Sequence, residues 1–126
     1  MLNLPPSVRV FFCTQPVDMR YSFDRLAMLA EQVLQENPYT GHLFVYVNRR
    51  ADRVKLLYWD RTGLAIWYKR LEKGTFRFAS DAEQGARVEM DATELTLILE
   101  GIDLRVARRQ ARYHRTCSIE AKGNGM

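Results

Sequence analysis

Five aspartates, Asp18, Asp24, Asp52, Asp60 and Asp103, are the residues whose type could hold a catalytic cation pair. Cutting a phosphodiester with two metals needs carboxylates that converge, and no two of these stand at a compact ligand spacing. Asp60 opens an Asp-Arg-Thr-Gly run and is better explained as a turn residue. Asp18 and Arg20 flank Met19 in a short loop, where a hydrogen-bonded lock is favoured over a chemical role. His42 follows Gly41 with no Ser, Cys or Asp at a telling distance, a weak acid–base signal. Cys13 lies in an apolar run and Cys117 in a polar tail, without any CxxC or clustered Cys/His spacing. Neither GxxxxGK[ST] nor GxGxxG occurs, so nucleotide binding has no support. The expectation is a non-enzyme with no catalytic residue, no metal site and no cofactor.

Cations and aromatics carry a different chemistry. Residues 49–77 hold nine basic and three acidic groups, and residues 101–126 hold six and two. Between them, residues 78–100 hold one basic and six acidic groups. Such segregation favours a polyanion on one surface more than an even spread of the net +4 charge would. The opposing reading is that acidic and basic segments neutralise each other on folding.

The elements that must position these groups follow from patterning. Val8–Cys13 is β-branched and aromatic and predicts a first strand. Ser22 is an N-cap for a helix reaching about Glu36, with Phe23, Leu26, Ala27, Ala30, Val33 and Leu34 at helical spacing and Asn37-Pro38 as the stop. Leu43–Val47 is a second strand, Arg53–Trp59 a third and Leu64–Leu71 a fourth, with Phe76–Phe78 as a short edge strand. Residues 79–89 read as a surface loop. Asp91 and Glu94 form a capping box for a last helix carrying Leu95, Leu97, Ile98, Leu99 and Ile102, which Gly101 ends or interrupts. Short polar turns between successive strands predict an α+β fold: a single domain with a mostly antiparallel β-meander sheet and two or three helices on one face. Residues 1–104 form that domain, and residues 105–126 a basic C-terminal helix or tail.

Between the third and fourth strands, Arg61-Thr62-Gly63 reads as a three-residue loop with Gly63 left-handed. Pairing then places Trp59 opposite Ala65, Leu57 opposite Trp67, Lys55 opposite Lys69 and Arg53 opposite Leu71. One face would carry Arg53, Lys55, Leu57, Trp59, Ala65, Trp67 and Lys69, and the core-like face Val54, Leu56, Tyr58, Ile66, Tyr68 and Arg70. Two lysines directly opposed are unfavourable without an anion between them. Cations beside exposed tryptophans suit phosphates and stacked bases, although tryptophans in strands also pack under helices while lysine stems snorkel. A one-residue slip in register would exchange the faces.

With 126 residues, 47% of them hydrophobic and 27% charged, the chain has the balance of one soluble domain. No apolar run approaches the roughly 20 residues of a membrane span, and residues 1–6 lack a signal-peptide pattern. A cytoplasmic, membrane-free protein is expected.

Asn37-Pro38-Tyr39-Thr40-Gly41-His42-Leu43-Phe44-Val45, followed by Asn48-Arg49-Arg50-Ala51-Asp52-Arg53-Val54-Lys55-Leu56-Leu57-Tyr58-Trp59-Asp60, closely resembles the Orf2-like accessory proteins, called transposase B, of the insertion sequence sixty-six family of bacterial elements. Gly63 to Gly74, Pro16–Arg20 with Phe23-Asp24, and Leu99–Asp103 continue the resemblance, which covers about residues 5–105. It implies an accessory factor of DNA transposition, working beside a larger catalytic transposase, with no catalytic residues to carry over.

Together these readings predict DNA bound through Arg49, Arg50, Arg53, Lys55, Lys69 and Arg70, with Trp59 or Trp67 stacking. Arg105, Arg108, Arg109 and Arg112, at helical spacing, would add unspecific phosphate contacts. The alternative is a protein–protein adaptor that docks on the catalytic transposase through Trp59, Trp67 and neighbouring tyrosines. Self-association through an open strand edge, giving a homo-oligomer, is a third possibility.

Overall fold

The computed structural model describes residues 7–78 and 85–101. The element order is β1 (Val10–Cys13), α1 (Phe23–Gln32), β2 (Leu43–Val47), β3 (Arg53–Trp59), β4 (Leu64–Arg70), β5 (Arg87–Met90) and α2 (Ala92–Leu99). One five-stranded sheet has the spatial order β4-β3-β2-β1-β5. The fold is α+β and mostly antiparallel, with β2, β3 and β4 as the expected meander. No helix among the described residues is long and apolar enough to cross a membrane.

Two features depart from the meander. β1 and β2 run parallel, because α1 carries the chain back across the sheet between them. β5 adds antiparallel to β1 at the far edge, where the sequence reads as a loop. Its apolar alternation consists of Val88 and Met90 alone, too short a period-two signal among charged neighbours to stand out. Conversely, Phe76–Phe78 is not a strand. Phe76 is buried, its amide donates to the Ala51 carbonyl at 2.7 Å, and Phe78 stacks on Phe12 with centroids 4.3 Å apart.

The helices cover opposite faces of the sheet, not one face. α1 buries Leu26, Ala27 and Ala30 against Phe11, Cys13, Phe44, Tyr46 and Leu57. α2 buries Leu95, Ile98 and Leu99 against Val10, Phe12, Val45, Val54 and Leu56. Burial on both sides explains why β1 and β2 are apolar along their whole length. The Tyr46 hydroxyl, deep in the α1 layer, donates to the Leu26 carbonyl at 2.9 Å.

α1 stops at Gln32, before the Asn37-Pro38 signal. Gln35 turns left-handed (φ 58°), letting Leu34 fold back into the core, and the Glu36 amide donates to the Ala30 carbonyl. Ser22 is extended at the N-cap but makes no side-chain cap bond. The Asp91–Glu94 capping box of α2 is complete in both directions, and Gly101 (φ 92°) ends that helix.

Candidate nucleic-acid interface

The hairpin register differs by one residue from the expected one. Trp59 pairs with Leu64, Leu57 with Ile66, Lys55 with Tyr68 and Arg53 with Arg70. The loop is therefore four residues, Asp60–Gly63, closed by the Asp60 amide donating to the Gly63 carbonyl at 2.8 Å. Arg61, not Gly63, takes the left-handed conformation (φ 55°). The cause is tertiary. With helices on both faces, Leu64 and Ile66 pack into the α1 layer while Trp67 packs into the α2 layer. A pattern read for a sheet with one open face has no reason to choose this register.

The slip re-sorts the cations. Arg53, Lys55, Tyr68 and Arg70 share the α1 side of the sheet, and Lys69 and Trp67 lie on the other. Lys55 and Lys69 are not opposed. The Lys69 ammonium donates to the Leu99 carbonyl at 3.1 Å, capping the C-terminal end of α2. Trp59, at the opposite end of β3 from Arg53, meets Tyr39 edge-on at 5.6 Å. The hairpin cations thus do not converge as a set, and the arginine run from Arg105 to Arg112 lies outside the described residues.

Lys55 is the buried charge of the described core, 8% exposed. Its ammonium donates to the carbonyls of Met19 and Tyr21, each at 2.7 Å, and lies 4.8 Å from the Tyr68 ring centroid. Burial pushes it below the ordinary lysine value, with nearby Asp18 opposing. It is a strut that ties the β1–α1 loop down onto β3.

That loop is braced twice more. The Val17 amide donates to the Val47 carbonyl at 2.8 Å. Asp18 accepts from the Arg20 guanidinium (2.7 Å to Oδ2) and from the Arg20 backbone amide (2.9 Å), the expected lock. Those hydrogen bonds hold the Asp18 carboxyl down at about 2.

The β2–β3 turn is built by Asn48. Its Oδ1 accepts from the amides of Asp52 and Arg53, and its Nδ2 donates to the Asp52 carboxylate at 2.7 Å. Ala51 is left-handed (φ 59°) at the bend. This clamp pushes Arg49 and Arg50 outward. It also lowers the Asp52 pKa, first through the Asn48 hydrogen bond and then through Arg50 and Arg53.

Turn and loop border an open hollow of about 680 Å³, which Arg20, Arg49, Arg50 and Arg53 all line. Arg20 is committed to Asp18, but Arg49, Arg50 and Arg53 make no ion pair among the described residues. Arg70, beside them, makes only an exposed pair with Glu72 at 3.3 Å. Four of the expected contact residues, Arg49, Arg50, Arg53 and Arg70, are therefore brought together.

Two residues of this surface escape a sequence reading: Arg20, read only as part of a lock, and Tyr68, assigned to the core face. Tyr68 is 49% exposed beside Arg53. Its signal was available only through the correct hairpin register. His42 accepts the Arg9 amide at Nδ1 (3.0 Å) and meets Phe11 edge-on, a structural placement. Among the described residues, no group of three or more His, Cys, Asp or Glu could hold a metal ion.

Comparison with known proteins gives a family-model match over residues 8–109, described as IS66 Orf2-like protein. Two relatives from Sinorhizobium fredii are uncharacterized proteins. y4jC is 34% identical over 110 residues, spanning 87% of this chain and 92% of that protein. y4hO is 35% identical over 105 residues, spanning 83% and 90%. No solved structure matches at a significant level.

Proposed function

The chain belongs to the IS66 Orf2-like family, and from that premise we propose that it serves transposition as a non-catalytic accessory factor that holds DNA phosphates in the arginine hollow. The observation that supports this most is the arrangement of Arg49, Arg50 and Arg53. Three guanidiniums with no ion pair among the described residues face one concavity, with Arg20 and Arg70 at its margins. Arginines so placed form charge-assisted, bidentate bonds to phosphate. Asp52 attracts Arg50 and Arg53 from a distance, but no described carboxylate closes an ion pair on Arg49, Arg50 or Arg53, which leaves their donors open to an anion.

The test is DNA retention over a salt series. The logarithm of affinity should fall linearly with the logarithm of salt concentration, with a slope set by the number of phosphates neutralised. Reversing Arg49, Arg50 and Arg53 together to Glu should abolish retention at low salt. If the wild-type chain retains neither single- nor double-stranded DNA at low salt, the proposal is wrong.

A second reading has its own observation. Tyr39, 50% exposed, meets Trp59 edge-on at the other end of β3, roughly 20 Å from Arg53 at the usual rise per residue. A half-open aromatic pair is the chemistry of a protein hot spot. In the adaptor role, Tyr39→Ala with Trp59→Ala breaks capture of the catalytic transposase while DNA retention is unaffected. Trp67, packed against the core cluster on the α2 side, lies away from this pair.

A further inference from the structure

Arg53 and Tyr68 line two adjoining hollows: the one of about 680 Å³ already described, and a smaller one of about 370 Å³ that they share with Arg70 and Glu72. The pair is thus a saddle on one continuous track. Tyr68 is half exposed on that saddle, with the Lys55 ammonium 4.8 Å from its ring centroid.

We infer that this track takes a single unpaired DNA strand, with one base stacked on Tyr68 and the flanking phosphates held by Arg53 and Arg70 on one side and by Arg49 and Arg50 on the other. This rests on the phosphate-binding reading above and adds to it the form of the DNA.

Three physical points carry the inference. A duplex presents phosphates but keeps its base faces stacked, so an aromatic ring among arginines gains nothing from it, whereas an unpaired base offers a face to the ring. The two hollows meet at Arg53 and Tyr68, so a ligand that fills both must bend over this pair. A duplex, stiff over about 150 base pairs, does not follow such a path, and a single strand with freely rotating backbone bonds does. Finally, the platform is set before binding. Lys55 is fixed by two backbone carbonyls and Tyr68 is fixed against Lys55, so little side-chain freedom is left to lose when a base arrives. The Arg70–Glu72 pair is no obstacle, since an exposed ion pair contributes little and gives way to a phosphate.

Fluorescence anisotropy with the full chain decides it, using a labelled oligothymidine of about 15 nucleotides, within the usual range of single-strand site sizes, and a duplex of the same length. The single strand should bind about 10-fold more tightly or better. Tyr68→Ala should weaken single-strand binding by about 5- to 150-fold, as the loss of one base-stacking contact does, and leave duplex binding unchanged. Tyr68→Phe, which keeps the ring, should bind the single strand like the wild type. Equal affinity for both forms, or a Tyr68→Ala variant that binds the single strand unchanged, overturns the inference while the arginine reading stands. Failure to bind either form overturns both.

Discussion

Arg53 and Arg70 stand directly opposite each other where β3 and β4 pair. Like charges facing across a ladder are destabilising by a few tenths of a kcal/mol up to about 1. Among the described residues, Arg70 pairs only with the exposed Glu72, and Arg53 makes no ion pair, though Asp52 attracts it from a distance. The free protein therefore carries a small repulsion, which a phosphate held there in the proposed role would remove.

Arg53→Thr keeps a strand-forming residue and deletes the repulsion. Its stability should be unchanged or higher by about 0.5 kcal/mol at low salt, with the gain shrinking as salt screens the pair. DNA affinity should fall at the same time, and the salt slope by about one. Urea unfolding and filter binding on the same preparation separate the two effects. A variant that loses stability and keeps its affinity contradicts the account of this pair.

Lys69 and Lys55, equivalent in a sequence reading, should behave differently. Lys69→Ala should leave DNA retention unaltered, because its ammonium sits on the far face at the end of α2; the cost is about 0.3–1 kcal/mol of stability. Lys55→Met should cost about 2 kcal/mol or more, since it leaves the Met19 and Tyr21 carbonyls without their donor, and should weaken DNA binding indirectly by releasing the loop. Parallel unfolding and retention measurements on the two variants check this.

Asp18 gives a pH signature. Its folded pKa is depressed to about 2 by the Arg20 side-chain and backbone hydrogen bonds. A depressed carboxyl pKa contributes stability that is fully present above the unfolded value near 3.9 and is lost as pH falls through about 2. Carboxyl-carbon NMR should show Asp18 titrating near 2 in the wild type and shifting back toward its ordinary value in Arg20→Gln. An Asp18 midpoint near 4 in the wild type would show that the lock is not formed in solution.

Asp91→Ala should remove the cap of α2 at a cost of about 1 kcal/mol. For a domain of this size that lowers the thermal midpoint by about 4 °C. Calorimetry reads it directly, and retention of DNA should be untouched because α2 lies on the face away from the arginines.

Much of the local structure was legible. The second and third strands, Leu43–Val47 and Arg53–Trp59, have the bounds their composition predicts, because β-branched and aromatic runs ended by polar turns are a local signal. The capping box is equally local, since both partners lie within one turn of helix. The Asp18–Arg20 lock was legible too, two residues apart in one loop. The arginines of the hollow were visible as charge, but their grouping was not: Arg20 comes from one loop, Arg49 and Arg50 from a turn, and Arg53 and Arg70 from adjacent strands.

Taken alone, the amino-acid order determined the first four strands and the two helices, where the capping box lies, and that positive charge is concentrated between residues 49 and 77, because those properties depend on neighbours within a few residues. Tertiary structure decided the parallel pairing of β1 with β2, the recruitment of Arg87–Met90 to an edge, and the one-residue register that puts Tyr68 beside Arg53 and sends Lys69 to the other face. The reason is that both faces of the sheet are buried. The register is selected by which side chains α1 and α2 must each cover, a condition that no stretch of the hairpin contains by itself.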